Sequence, residues 1–126
     1  MNNVWSEFKS SIYTIEDLGR TAVFLIPASK LKDRGHNPPT SIEEVLHQFL
    51  TENFGAYHTT LAREAGFWKN GMGQMIYDES VRYEVAFLGK ERLPLLLEKI
   101  AAIAKIIQED CIYITVGQYT GLVRLT

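Results

Sequence analysis

An α+β domain, with two helices laid on one face of an antiparallel sheet, is the architecture that the sequence predicts. Three observations predict it. Residues 40–55 and 90–110 carry apolar side chains at helical spacing. Several shorter segments alternate or run apolar in the manner of strands. Their order along the chain is strand, helix, strand, strand, helix, strand. That order is the split βαβ, or ferredoxin-like βαββαβ, arrangement, in which both helices share one sheet face.

Residues 1–19 are amphipathic but irregular and read as a short helix or an edge strand. They form an N-terminal extension that packs on the sheet or on a partner. "TAVFLIP" (21–27) is a continuous apolar run closed by proline, which suits an inner strand. A polar loop, "ASKLKDRGHNPPT", follows; it is longer than a simple connection requires, which is a functional flag. "TSIEEVLHQFLTENFG" is the first helix, with Thr40 as expected N-cap, Glu43 as its capping-box partner and Gly55 as left-handed C-cap. "AYHTTLAREAGFW" (56–68) reads as one strand and "ESVRYEVAFLG" as the next, its Val81, Tyr83, Val85 and Phe87 sharing one face. "KERLPLLLEKIAAIAKIIQED" is the second helix, with Pro94 in its first turn. "CIYITVGQYTGLVRL" supplies the last strand and a short one after Gly121.

The 126 residues fit a single domain with no internal linker. Apolar residues make up 46 % and charged residues 22 %, so the chain can build a real core. A net charge of −2 argues against a broad nucleic-acid footprint, which needs a basic surplus. No apolar run approaches the roughly 20 residues of a membrane span. The start carries no basic cluster followed by an apolar core, so a signal peptide is not expected. Cys111 is the one cysteine, which excludes an internal disulfide. A cytoplasmic protein is the expectation.

The sheet face away from the helices is half apolar: Val23, Leu25, Ala86, Leu88 and Tyr113 mix with His58, Thr60, Glu84 and Thr115. A patch of that kind usually marks an interface. Either the N-terminal segment, with Trp5, Phe8, Ile12 and Tyr13, covers it, or a second copy of the chain does, and the two are compatible. A homo-oligomer, a dimer or larger, is therefore expected. Tyr83 and Phe87 share the parity of the core valines, which removes the stacking aromatics an RNA-binding sheet would show.

Chemistry-bearing motifs are few. No phosphate-binding glycine loop, nucleophile elbow or H-E-x-x-H sequence is present. His58 is a candidate general base, and Asp78 and Glu79 are candidate acid–base partners. Glu44 and His47 stand at i, i+3, half of a dimetal carboxylate pattern whose second half is missing. Flanking Glu109 and Asp110 disfavour a reactive thiolate at Cys111.

The stretch "GFWKNGMGQMIYDES" (66–80) packs Gly66, Gly71 and Gly73 among aromatics and methionines. It reads first as a structured hairpin, with Trp68 and Met75 pinning it to the body, and second as a ligand-contacting lid. Candidate ligand contacts are Arg63, Trp68 and Lys69 here, Lys30, Lys32 and Arg34 in the first loop, and Gln118 and Tyr119 in "GQYTG".

Across residues 21–125 the segments "NFGAYHTT", "GFWKNGMGQMIYDES", "VRYEVAF" and "IIQEDCIYITVGQYTGL" resemble a group of small uncharacterised ferredoxin-like proteins of bacteria and phages. The resemblance implies the fold and no particular activity. The nitrogen-regulatory PII-type proteins share the topology and bind nucleotides between subunits, but their diagnostic loops are not recognisable here. The first functional reading is an oligomeric domain binding a small, anionic or nucleotide-like ligand near subunit boundaries. The alternatives are an enzyme of the dimeric α+β barrel type using His58 with Asp78 or Glu79, and a protein-interaction module. The residues name no cofactor and leave open whether the chain is a catalyst.

Overall fold

The computed structural model describes residues 4–32, 40–60 and 62–126. Strand β1 (Arg20–Pro27) leads through a 3-10 turn and a loop to helix α1 (Ile42–Phe54). Strands β2 (His58–Thr59), β3 (Glu64–Lys69) and β4 (Met75–Phe87) follow, then helix α2 (Leu93–Ile106), β5 (Cys111–Val116) and β6 (Tyr119–Arg124). The sheet runs β2-β4-β1-β5-β6, with β3 also paired to β4 and every described pairing antiparallel. This is the expected ferredoxin-like order extended by one hairpin strand.

β1 lies in the middle because it is apolar on both faces. Ala22, Phe24 and Ile26 are fully buried under the helices, while Val23 and Leu25 are half-buried on the other face. Gly19 precedes it with φ +83, and a Cβ there would run into the Phe87 carbonyl, so only glycine permits this approach. Ile42, Leu46 and Leu50 of α1 and Leu96, Ile100 and Ile103 of α2 close over Phe24, Tyr83, Val85, Ile112 and Ile114. Full burial of each aliphatic side chain contributes roughly 1.5–3 kcal/mol.

Two local details differ from the sequence expectation. The N-cap of α1 is Ser41, whose hydroxyl accepts from the Glu44 amide at 3.2 Å, one residue later than Thr40. Ser41 wins because its backbone is extended (φ −83, ψ 164) and it hydrogen-bonds three residues ahead, which a cap requires. The expected strand 56–68 is broken: β2 ends at Thr59, and β3 resumes at Glu64. At the break, Thr60 donates its amide to the Arg82 carbonyl and accepts the Arg82 amide through its hydroxyl. That side-chain bond replaces the next ladder step and lets the chain turn away.

Residues 4–19 form one 3-10 turn (Val4–Glu7) and then no regular structure. Trp5 and Phe8 rest against each other, and Phe8, Ile12, Tyr13 and Leu18 remain exposed.

Candidate ligand-binding cleft

A cleft of about 550 Å³ opens between the first turns of α1, the short β2 and the middle of β4. Its volume falls in the roughly 300–1,000 Å³ range of small-molecule sites. Each wall follows from local sequence. Ser41 starts α1 so that Glu43 and Glu44 occupy its first turn and His47 lies one turn on, all three facing the cleft. Gly55, at φ 84, ends the helix and reverses the chain. That reversal brings Tyr57 back beside His47 and lays Thr59 opposite Tyr83.

The floor is aromatic. Phe24, Tyr83 and Tyr57 form a column, with ring centroids 5.3 Å and 5.9 Å apart and interplanar angles of 6° and 26°. The Tyr57 hydroxyl and His47 Nδ1 are hydrogen-bonded at 2.9 Å, and the two rings meet edge to face. Tyr83 is only 2 % exposed. Burial raises its phenol to about 12, helped by the Glu43 charge and by Tyr57, while a hydrogen bond with Thr59 opposes the rise. Tyr83 is thus a neutral phenol throughout the physiological range.

Cations stand at the rim. Lys32 pairs with Glu43 at 2.9 Å, and Arg63 reaches toward Glu79 at 3.8 Å. Both pairs are solvent-exposed, so each contributes little to stability, about 0–1 kcal/mol, and can open to meet a ligand.

Of the candidate catalytic and ligand-contact residues read from sequence, Lys32 and Arg63 line this cleft, and Glu79 borders it through Arg63. The others lie elsewhere. Lys30 donates to the Ile107 carbonyl at 2.8 Å at the end of α2. Its charge also reaches Glu109, whose carboxyl is raised first by burial and then by the Asp78 and Asp110 charges, with Lys30 opposing. Asp78 is thus felt as a charge by Glu109 and lies away from the cleft lining. His58, itself exposed, stands opposite Glu84 on the reverse of the face bearing Thr59. Trp68 and Lys69 are exposed at the far end of β3, about 17–20 Å along the strand from Arg63 at roughly 3.3 Å per residue. Gln118 and Tyr119 sit where β5 turns into β6, four strands from β2 and so roughly 19 Å away across the sheet. Arg34 lies outside the described residues.

Sequence reasoning missed Glu43, Tyr57, Thr59 and Tyr83 as cleft residues, and it weighed Glu44 and His47 only as a metal pair. Their i, i+3 spacing was the available signal that both face one way.

No protein-family model matches the chain, and no curated protein is similar to it. Two solved structures are. One is a phage SAM lyase in complex with S-methyl-5'-thioadenosine, at 14 % identity and a TM-score of 0.59, aligned over 92 % of this chain and 97 % of that one. The other is a phage SAM lyase in the apo state, at 15 % identity and a TM-score of 0.56, aligned over 90 % and 97 %. At such identities the likeness is one of fold.

Proposed function

We propose that the cleft binds a small sulfur-bearing adenine nucleoside of the S-adenosylmethionine and S-methyl-5'-thioadenosine class. The observation that carries this reading is the aromatic column beside paired carboxylates, in a fold that also belongs to a phage SAM lyase bound to S-methyl-5'-thioadenosine. An adenine ring has a flat face to lay against Tyr57, and base–aromatic stacking is worth about 1–3 kcal/mol. Glu43 and Glu44 offer acceptors for ribose hydroxyls and a counter-charge for a sulfonium, which aromatic faces also favour. Lys32 and Arg63 are placed at the rim to take a carboxylate. The half-apolar open sheet face, on the side opposite the cleft, supports a homo-oligomer.

Isothermal titration calorimetry with S-adenosylmethionine and with S-methyl-5'-thioadenosine tests the reading. Binding of either, weakened about 10- to 100-fold in Tyr57→Ala as the loss of one stacking contact predicts, is the expected result. No heat at millimolar ligand, or unchanged affinity in a folded Tyr57→Ala protein, overturns it.

One observation favours a catalytic version. His47 and Tyr57 share a hydrogen bond inside the cleft, beside Glu44. Cleaving a sulfonium S–C bond leaves the electron pair on sulfur as a neutral thioether, and the departing carbon fragment must lose a proton or gain a nucleophile. Imidazole is the side chain suited to accept a proton near neutral pH. His58, on the other sheet face, has no access to the same cleft. Mass spectrometry of S-adenosylmethionine incubated with the protein reads the outcome: thioadenosine release that is lost in His47→Ala supports catalysis, and intact substrate refutes it.

A further inference from the structure

The paired strands β3 and β4 extend past the body of the sheet. β1 reaches β4 only as far as Pro27 opposite Ser80, whereas β4 begins at Met75. Residues 75–79 of β4 therefore pair with β3 alone, in a ribbon closed by the turn at Asn70–Gln74. The turn is well made. The Asn70 side chain accepts the amides of Met72 and Gln74 at 2.9 and 3.0 Å, and Gly73 supplies the positive φ.

The surface of this arm is not that of a solvated hairpin. Phe67 is 68 % exposed, Trp68 53 %, Met72 83 %, Met75 60 % and Tyr77 57 %. Register places Phe67 beside Tyr77 on one face, their rings 5.2 Å apart, and Trp68 beside Ile76 on the other. Trp68 and Met75 thus do not pin the arm to its own body, as the sequence suggested. A two-stranded ribbon is marginal in water unless something packs against it. At roughly 150–250 Å² per aromatic side chain, the exposed fractions amount to several hundred Å². That is a large share of the roughly 800 Å² per partner that a stable protein interface buries.

We infer that the β3–β4 arm is a docking arm that packs its apolar faces against a second copy of this chain. Charge narrows the occupant. The arm carries no basic surplus, since Arg63 pairs with Glu79 and Arg82 with Glu64 and Lys69 is set against Asp78, so it offers no electrostatic attraction to an anionic lipid surface or a nucleic acid. A second copy is by contrast present at equal concentration and carries its own half-apolar sheet face, with Leu88, Tyr113 and Leu122 exposed. The inference needs no ligand and stands or falls apart from the reading of the cleft.

Light scattering on size-exclusion fractions tests it, using wild type, Phe67→Ser/Tyr77→Ser and, as control, Ile12→Ser. The expected result is a wild-type mass that is a multiple of 14.3 kDa, retained in the control and reduced to one chain in the double variant. A monomeric wild type at 50 µM, or an intact oligomer in the folded double variant, overturns the inference. Should the double variant fail to fold, hydrogen exchange on wild type decides: arm amides must lose at least tenfold protection on dilution while β1 amides keep theirs. Concentration-independent arm protection also overturns it.

Discussion

Replacing Tyr83 by phenylalanine should make the protein less stable at neutral pH and more stable in strong alkali. The phenol lies 2 % exposed between Phe24 and Tyr57, and burial with the nearby Glu43 charge holds its ionisation at about 12 rather than 10.0. The sign follows from linkage. A group whose folded value is raised keeps its full contribution below the unfolded value and loses it as pH climbs through the folded one. Between pH 10 and 12 the unfolded chain therefore releases a proton that the fold retains. At about 1.4 kcal/mol per pH unit, wild type loses on the order of 2–3 kcal/mol across that window through this one group. Phenylalanine has no such proton to release. At pH 8 the variant gives up only the hydrogen bond with Thr59, about 0.5–1.5 kcal/mol. The two stability curves must therefore cross between about pH 10 and 11. Urea unfolding followed by circular dichroism from pH 8 to 12 measures both, and other titrating groups cancel in the difference. Curves that stay parallel would refute the account of Tyr83 as a buried neutral phenol.

Three further outcomes are expected of the scaffold. Ser41→Ala costs about 1 kcal/mol in urea unfolding, the usual value of a lost N-cap, whereas Thr40→Ala changes stability by a few tenths; the reverse order would return the cap to Thr40. Leu46→Ala, at a fully buried position of α1, lowers stability by about 2–5 kcal/mol, and a loss under 1 kcal/mol would contradict the packing described. Gly19→Ala adds a clash with the Phe87 carbonyl to the roughly 1–2 kcal/mol of left-handed backbone. Its melting temperature falls further than that of Gly55→Ala, where a Cβ meets nothing within 4 Å.

The fold was legible because its core elements announce themselves by period. β1 is a solid apolar run, α1 and α2 bear stripes three and four residues apart, and β4 alternates cleanly from Val81 to Phe87. Where propensity is indifferent, the reading drifted. Thr40 and Ser41 are adjacent residues that can both cap a helix, and backbone geometry chose Ser41. The alternating run 56–68 gave no hint that a threonine hydroxyl would take over the Arg82 amide and end β2. The cleft was harder still. Its walls come from four separated segments, near residues 28–32, 43–47, 57–63 and 81–83. Nothing in linear spacing says that Tyr57 folds back onto Tyr83, because Gly55 sets that meeting through backbone direction. Isolated basic residues were easier to notice than a stack of rings, which is why Lys32 and Arg63 were found and the tyrosines were not.

The central place of β1 has a consequence for how the chain is made. Residues 20–27 leave the ribosome long before either neighbouring strand exists, since β4 completes at Phe87 and β5 at Val116. At about 5–20 residues per second, this oily strand waits on the order of 5 to 20 seconds for both of its flanks. Such a run is adhesive while naked. Arg20 at its start, Pro27 at its end and Lys30 just beyond are the residue types that discourage stray strand addition. The strand at the middle of the finished sheet is thus the one that stays longest without its neighbours on the nascent chain, with those three residues at its ends.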